Sequence, residues 1–271
     1  MCNSKNDIES KIKELGDEQA WNHNIELPYG IQTAPAEQVS HGKNIIKWGR
    51  IERIIDSLCL SGKAVLDVGC NEGFFSLKLA EKGAIVTGID VDDSRIKKAK
   101  FVNSVLQVDK VLFENIDIYS NQFKDIDSFD FCLCMGFLHR VPDPYRAIQA
   151  ISQKTSTILF EWKALKHGPH DESYAYFSKK DIDDKDYYGT EYWLISYNAL
   201  ETILKRLGFK YFYKVDDPRQ RRAILLAGKF DADIFRQDDV VHHRGRVRAL
   251  LSHTKQYLIA IKNIISGKLN S

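Results

Sequence analysis

The chain has 271 residues, of which 44% are hydrophobic and 28% are charged, and its formal net charge is +2. These values are ordinary for a soluble globular protein with one α/β domain and additions, and the net charge is too small to require nucleic acid as a partner. The 5 cysteines have no metal-ligand spacing, which favours a reducing compartment over a disulfide framework. Residues 1–19 lack the apolar core of a signal peptide, and no apolar run approaches the roughly 18 residues that span a bilayer. We therefore expect a cytoplasmic protein.

Residues 1–42 predict a short helix followed by a segment that covers the main domain. Apolar side chains recur in the helix at helical spacing: Ile8, Ile12 and Leu15. Residues 21–33 are rich in aromatic and polar side chains and end in turn residues. Two interpretations of this segment stay open. It is either a lid over a ligand pocket, with His23 as a candidate substrate-binding residue, or a structural cap whose Trp21 covers the core.

A second helix is predicted over residues 43–58. Its inward side is expected to carry the apolar residues Ile45, Ile46, Trp48, Ile51, Ile54, Ile55 and Leu58. Lys47 and Arg50 share the opposite side of this helix.

The stretch that follows organises the rest of the chain. Residues 64–68 are an apolar run typical of a parallel strand that is buried on both faces. The strand leads into a turn with Gly69 and Gly73, and then into a helix from Phe74 whose N-terminal amides favour a polar or anionic ligand group. A second buried strand ends in Asp90, about 20 residues further on, where a carboxylate can accept both hydroxyls of a ribose.

Predicted strands and helices alternate after this motif, as expected for an open α/β sheet. The strands cover residues 84–90, 110–114, 129–135 and 157–161, the helices cover 93–106, 145–153 and 196–207, and a closing β-hairpin covers 210–215 and 222–229. Ligands bind such sheets at the carboxyl ends of strands, near the switch in strand order. That rule gathers residues from distant parts of the chain around one crevice: Gly69, Asp90, Asp117 and His139. The fifth strand brings Glu161 to the same rim.

Residues 163–195 interrupt the alternation and form an insertion that is polar and rich in aromatic side chains. Long irregular insertions in compact domains are usually functional or disordered. The aromatic content favours a loop that covers the substrate, with Tyr174 and Tyr192 as candidate contacts. A metal site of Glu172 and the neighbouring histidines is conceivable, but solvated loop histidines are commoner, so we predict no metal.

The C-terminal part is predicted to be a linker followed by a basic amphipathic helix. Residues 240–271 contain no acid, and their apolar residues recur at helical spacing. Such a helix lies on an anionic membrane surface or against phosphates, or it docks on the domain or on a second subunit of a homo-oligomer; we favour docking. The predicted organisation is an N-terminal segment (1–42), a main domain (43–230) and this C-terminal part (231–271).

The turn motif narrows the class of ligand. Its Gly-x-x-x-Gly spacing and the opening Asp67 argue against a dinucleotide cofactor. The run from Asp67 to Gly73, together with Asp90, resembles motif I and the following acidic strand end of class I S-adenosylmethionine (SAM) methyltransferases. Asn71 stands where the commonest form has a glycine, and asparagine tolerates the left-handed backbone. The resemblance implies a Rossmann-like α/β fold, with a seven-stranded, mostly parallel sheet whose last strand is antiparallel.

The resemblance also implies a SAM-binding site. The residues that would hold this cofactor are Lys47, Asp67, Gly69, Cys70, Asn71, Gly73, Phe74, Asp90, Val91, Ile116, Asp117, Met135 and Gly136. In this assignment the turn holds the methionine part, Asp90 binds the ribose, and Asp117 lies by the adenine.

Flanking segments resemble one branch of the family, the tRNA wobble-uridine (carboxy)methyltransferase-like enzymes. They are residues 21–33, the Lys47-Trp48-x-Arg50 run, residues 136–139 and residues 192–209. The chain has His139-Arg140 where those enzymes have Tyr-His, and it lacks a convincing match for their upstream lysine that helps to hold carboxy-SAM. Their long N-terminal helical region is also missing. These departures favour ordinary SAM and methyl transfer.

A methyl transfer to a hydroxyl needs a base that receives the proton. His139 is the first candidate, because an unperturbed imidazole titrates near neutral pH, and Glu161 is the second. Arg140 and Lys47 would orient an anionic substrate. The preferred function is SAM-dependent O-methylation of a small molecule or of a sugar or glycan hydroxyl. A lipid-linked glycan near a membrane is one acceptor of this kind. The alternatives are tRNA wobble-uridine modification and a binding module without activity.

Overall fold

The computed structural model describes residues 4–34, 43–164, 175–177, 193–215 and 222–232. The chain divides into two compact units, Met1–Phe235 and Arg236–Ser271. The second unit, with the predicted C-terminal helix, lies outside the described residues. The candidate contacts Tyr174 and Tyr192 and the conceivable metal ligand Glu172 also lie outside them.

The main architectural feature is a seven-stranded sheet with helices on both faces. The strands of the described residues are β1 (Glu26–Leu27), β2 (Ile31–Gln32), β3 (Ala64–Val68), β4 (Ile85–Asp90), β5 (Val111–Asn115), β6 (Phe131–Met135), β7 (Thr157–Lys163), β8 (Ala175–Phe177), β9 (Trp193–Ile195), β10 (Tyr211–Val215) and β11 (Arg222–Gly228). The seven-stranded sheet contains β3 to β7, β10 and β11, while β1 pairs with β2 and β8 pairs with β9 in two small sheets. The helices are α1 (Lys5–Glu18), α2 (Lys43–Ser57), α3 (Phe74–Glu81), α4 (Asp93–Leu106), α5 (Asn121–Asp125), α6 (Pro144–Ser152) and α7 (Tyr197–Arg206).

The order of the large sheet is β10-β11-β7-β6-β3-β4-β5. Strands β3 to β7 pair in parallel, whereas β11 runs antiparallel to β7 and to β10. This topology confirms the predicted fold, including the antiparallel last strand. The switch in strand order lies at β3, which has β4 on one side and β6 on the other.

The apolar run of β3 is buried on both faces of the sheet, as the sequence predicts. Val65 packs into one core cluster, and Leu66 and Val68 pack into the other, because successive side chains of a strand point to opposite faces. Helices α1 to α4 supply the first cluster with Ile8, Ile51, Phe75 and Ile96. Helices α5 to α7 supply the second with Phe123, Ile148 and Leu200. The sheet therefore holds the carboxyl ends of β3, β4 and β6 at one edge between two layers of helices.

The prediction for the inward side of α2 is wrong at two positions. Ile45 and Ile46 are 56% and 50% exposed, while Trp48 and Ile51 are buried. The buried stripe continues through Asn44 instead, because positions 44, 48, 51 and 55 follow the helical repeat and positions 45 and 46 do not. The buried amide of Asn44 is satisfied, since its Nδ2 donates to the Asn24 carbonyl at 2.8 Å.

The insertion predicted as irregular contains strand structure. Strands β8 and β9 pair antiparallel, with Ala175 opposite Ile195 and Phe177 opposite Trp193. The Trp193 indole donates to the Pro142 carbonyl at 2.9 Å, which joins this hairpin to the loop after β6. Within the described ranges, no helix combines the length and the apolar content needed to cross a membrane.

Candidate active site

A crevice of about 1250 Å³ opens at the carboxyl ends of β3, β4 and β6. One side is formed by residues of the N-terminal segment, among them Gln19, Asn22 and His23. Lys47 of α2 lines it as well. This is the place at which open α/β sheets bind ligands, at the switch in strand order.

The turn after β3 is held by backbone hydrogen bonds. The amides of Gly69 and Cys70 donate to the Ile89 carbonyl at 2.8 and 2.9 Å. Gly69 and Asn71 have φ values of 70° and 55°, so Asn71 adopts the left-handed backbone that the sequence predicts for it. A Cβ at Gly69 would lie 3.1 Å from the Phe137 ring, so a side chain here would strain both the backbone and the wall of the crevice.

Asp90 lies at the end of β4 and faces the crevice. Its Oδ2 accepts the Asn71 amide and its Oδ1 accepts the Asp92 amide, each at 3.0 Å. Burial raises the pKa of this carboxyl, while the two amides and Arg95 act in the opposite direction. Each oxygen keeps a lone pair beyond its amide bond, so the carboxylate can accept the two hydroxyls of a ribose.

Eight of the predicted cofactor residues line the crevice: Lys47, Gly69, Asn71, Asp90, Val91, Ile116, Met135 and Gly136. The apolar side chains of Ile116 and Ile118 face the crevice near the end of β5, where an adenine ring could pack. Together with the glycine turn and the Asp90 carboxylate, they form a site that fits a nucleoside with a flexible polar tail.

Five predicted cofactor residues do not line the crevice: Asp67, Cys70, Gly73, Phe74 and Asp117. Asp67 is 1% exposed and accepts the Ser76 hydroxyl at 2.6 Å, and burial raises its pKa to about 7. A Cβ at Gly73 would lie 2.5 Å from Phe113, so this glycine allows α3 to pack closely on β5. Asp67 and Gly73 therefore hold α3 against β3 and β5 next to the turn, and they do not border the crevice. Asp117 accepts the Tyr119 amide at 2.8 Å in a local turn.

Three charged side chains, those of Lys47, Glu161 and Arg222, surround the space next to Gly136. We call these three residues, together with Arg140, the charged cluster. A Cβ at Gly136 would lie 3.5 Å from Lys47 Nζ, 3.6 Å from Arg222 Nη1 and 3.8 Å from Glu161 Oε2. Arg222 Nη1 is 3.3 Å from Glu161 Oε2. Burial lowers the pKa of Lys47, although the Glu161 carboxylate opposes that shift. Three cations and one anion leave this end of the crevice with a net positive charge.

Glu161 is fully buried, and its Oε1 has no hydrogen-bond partner among the described residues. A buried acceptor without a partner costs free energy, so such an atom is commonly kept for a ligand or for chemistry. Glu161 does not itself line the crevice, whereas Arg222, which contacts it, does.

Arg222 was missed by the sequence prediction. It is the first residue of β11 and pairs in register with Lys163, while Ile224 pairs with Glu161. In an antiparallel pair, residues 161, 163, 222 and 224 share one face of the sheet. The register of the predicted hairpin against the fifth strand was the signal that could have revealed this residue.

The predicted base His139 is 1% exposed and is not among the residues that line the crevice. The Lys163 amide donates to its Nδ1 at 3.4 Å, and its Nε2 is 3.5 Å from Arg222 Nη1. Burial, followed by the charge of Arg222, lowers its pKa well below 6.5. The ring is therefore neutral and contacts Arg222, while its neighbour Arg140 lines the crevice.

His23, the predicted substrate contact, does line the crevice. Its Nδ1 accepts the Phe74 amide at 3.4 Å, so it satisfies an N-terminal amide of α3 that the sequence assigned to a ligand. Burial lowers its pKa to about 3, and the ring is neutral. Within the described ranges, no group of three or more His, Cys, Asp or Glu residues could hold a metal ion.

Residues 60–160 match the family model described as a methyltransferase domain. The chain is 42% identical over 101 residues to a ubiquinone biosynthesis O-methyltransferase of Coxiella burnetii, which covers 37% of this chain and 42% of the relative. It is 33% identical over 166 residues to the enzyme of that name from Idiomarina loihiensis, which covers 60% and 58%. The chain thus spans about half the length of these relatives.

Two solved structures share the fold. The N-terminal domain of EvdMO1 with SAH bound aligns with a TM-score of 0.66 at 18% identity, over 83% of this chain and 97% of that one. Magnesium protoporphyrin IX methyltransferase (ChlM) from Synechocystis PCC 6803 with bound SAM aligns with a TM-score of 0.52 at 17% identity, over 73% and 86%. These similarities show the class I methyltransferase fold.

Proposed function

We propose that this chain, which carries a class I SAM-dependent methyltransferase domain, transfers a methyl group from SAM to a hydroxyl oxygen of an anionic small molecule or glycan. The observation that carries the proposal is one crevice bordered by both the Asp90 carboxylate with its turn and the charged cluster above Gly136. The curated relatives named ubiquinone biosynthesis O-methyltransferase support oxygen as the accepting atom.

When bound, SAM supplies an electrophilic methyl group on a sulfonium. In the proposed complex, Asp90 accepts the ribose hydroxyls, and the turn at Gly69 and Asn71 borders the methionine part. Ile116 and Ile118 pack against the adenine. These roles agree with the positions of the residues on the wall of the crevice.

Glu161 is our proposed proton acceptor. As the acceptor oxygen forms its bond to the methyl carbon and the carbon–sulfur bond breaks, the hydroxyl proton has to leave, and Glu161 Oε1 is a buried acceptor with no partner among the described residues. Arg222 holds the other oxygen of this carboxylate, and Lys47 and Arg140 attract an anionic group of the acceptor. His139, the first candidate from the sequence, becomes the second candidate base, because its ring lies between the Lys163 amide and Arg222 and does not line the crevice.

The proposal is tested first by calorimetry with S-adenosylhomocysteine (SAH) and then by transfer of labelled methyl from SAM. We expect SAH to bind in a ratio of one to one. Hydroxylated acceptors with a carboxylate or phosphate should accept the label better than their neutral analogues. The absence of SAH binding would refute the assignment of the crevice. Binding together with equal transfer to charged and neutral acceptors would refute the anionic acceptor.

A second candidate function, tRNA wobble-uridine modification, is favoured by the position of Lys47 beside Arg222, because two cations can hold the extra carboxylate of carboxy-SAM. The relatives named above argue for the first candidate. Salt-dependent binding to bulk tRNA, together with a preference for carboxy-SAM over SAM, would support the tRNA function.

A further inference from the structure

Glu72 is a buried acid in the turn after β3 to which the motif assigns no role. Its side chain is fully buried and contacts the N-terminal segment instead of a ligand. The Asn22 amide donates to its Oε1 at 3.0 Å, and the His23 amide donates to its Oε2 at 2.8 Å. One carboxylate therefore binds two successive backbone amides that lie some 50 residues earlier in the chain.

Arg95 of α4 connects Glu72 to the rest of the turn. Its Nη1 is 3.6 Å from Glu72 Oε1 and donates to Asn71 Oδ1 at 2.8 Å. The Asn71 amide in turn donates to Asp90, the predicted ribose acceptor. A continuous set of hydrogen bonds and one ion pair thus runs from Asn22 to the carboxylate of Asp90.

Residues 19–23, which we call the N-terminal wall, are also held at their other end by α4. Ser94 Oγ donates to Gln19 Oε1 at 2.6 Å, and the buried Lys98 ammonium donates to the Gln19 carbonyl. Gln19, Asn22 and His23 line the crevice, and Glu72 does not. Glu72 therefore acts on the crevice through the residues that it holds.

We infer that Glu72 is a positioning residue that fastens the N-terminal wall to the cofactor turn, so that cofactor binding and closure of this wall are coupled. The coupling is reciprocal: a cofactor that stabilises the turn also stabilises the wall, and a loosened wall weakens cofactor binding. The inference rests on the proposal that the crevice binds SAM. It extends that proposal by making residues 19–23 part of the cofactor site.

The test compares the wild type with Glu72→Gln. Glutamine has one acceptor oxygen, so one of the Asn22 and His23 amides loses its partner and meets an NH₂ group. We expect SAH affinity to fall about tenfold, the cost of one charge-assisted hydrogen bond. The KM for SAM should rise similarly with kcat almost unchanged. Amide hydrogen exchange at Asn22 and His23 should be slowed by SAH in the wild type and should be faster in the variant.

The matched control is Glu81→Gln, which removes an exposed glutamate whose Oε2 pairs with Lys78 at 2.7 Å. It should leave SAH affinity and exchange at the wall unchanged. Arg95→Lys, which keeps the charge but not the guanidinium geometry, should weaken SAH binding about threefold.

A folded Glu72→Gln protein that binds SAH as tightly as the wild type would overturn the inference and leave the proposed function intact. A wild type that does not bind SAH at all would overturn the proposed function itself. If Glu72→Gln does not fold, the wild type decides: exchange at Asn22 and His23 that SAH does not slow would overturn the coupling.

Discussion

The turn end of the crevice is held by backbone hydrogen bonds, whereas the charged cluster is held by side chains from separate elements. At the turn, the amides of Gly69 and Cys70 bind one carbonyl, and the Asn71 amide binds Asp90. The cluster joins Lys47 of α2, Glu161 of β7 and Arg222 of β11.

The two ends of the crevice are therefore suited to different parts of the proposed function. The turn donates through its own backbone amides and depends on few side chains, chiefly Asp90 and the pair Glu72 and Arg95, so it suits a cofactor shared by many enzymes. Side chains from distant elements can change one at a time, so the cluster suits the selection of the acceptor. If this division holds, variants at the two ends should affect different kinetic constants.

The largest expected effect is that of Glu161→Gln. Loss of the proposed base should lower kcat by about 10²–10⁴-fold, with SAH affinity unchanged. Steady-state methyl transfer and calorimetry measure the two quantities. Glu201→Gln is the control, since this acid contacts Lys205 and Lys214 away from the cluster. Near-normal turnover in Glu161→Gln would return the role of base to His139.

Asp90→Ala should act at the turn end. Removal of the acceptor for two ribose hydroxyls is expected to weaken SAH binding about 100-fold, because hydrogen bonds to a charged group are lost. Asp90→Asn keeps one acceptor oxygen and should lose less. Asp93→Asn, at an acid whose side chain is 61% exposed, is the control in the same calorimetric titration. Unchanged affinity in Asp90→Ala would contradict the placement of the ribose.

Arg222→Met should impair acceptor binding at the charged cluster without changing cofactor binding at the turn. The KM for an anionic acceptor is expected to rise about tenfold, while SAH affinity stays the same. Arg222→Lys, which keeps the charge without the planar fork, should show a smaller rise. A loss of carboxy-SAM binding in Arg222→Met, with no change for the acceptor, would instead favour the tRNA-modifying alternative.

Asp67→Asn should change activity least, because the residue supports the turn without lining the crevice. Its folded-state pKa of about 7 lies above its ordinary value of 3.8, so its contribution to stability is complete below 3.8 and is lost as the pH rises through 7. The variant should gain stability relative to the wild type between pH 4 and pH 8, as measured by urea unfolding. A stability difference that does not vary with pH would contradict this assignment.

Regular elements of the sheet layer could be predicted closely from local pattern. Strand β3 and helix α4 have the predicted bounds, 64–68 and 93–106, because apolar runs and helix caps act over short distances. The predicted face of α2 was wrong at Ile45 and Ile46, since apolar character alone does not show which side of a helix the domain covers.

The residues of the site likewise fall into two groups, those that local sequence pattern places and those that long-range contacts place. Gly69, Asn71 and Asp90 line the crevice, because a strand, its turn and the next strand end form one local unit. Glu72 and Arg222 had no local signal of this kind. The partners of Glu72 lie in the N-terminal segment, and Arg222 meets Glu161 only through the pairing of β11 with β7. The catalytic and substrate roles of individual residues stay predictions.

The strands, the helices and the turn could be read from the sequence alone, because they follow from hydrophobic periodicity and from backbone geometry within short stretches. The sheet topology and the class of cofactor were implied by the resemblance of the turn motif to class I methyltransferases. The folded chain was needed to show that Glu161 is buried beside Arg222 with an Oε1 that has no hydrogen-bond partner in the described part of the chain, and that Glu72 holds residues 22 and 23. Burial and long-range contacts set the protonation and the partners of a side chain, and neither is encoded in its neighbours along the chain.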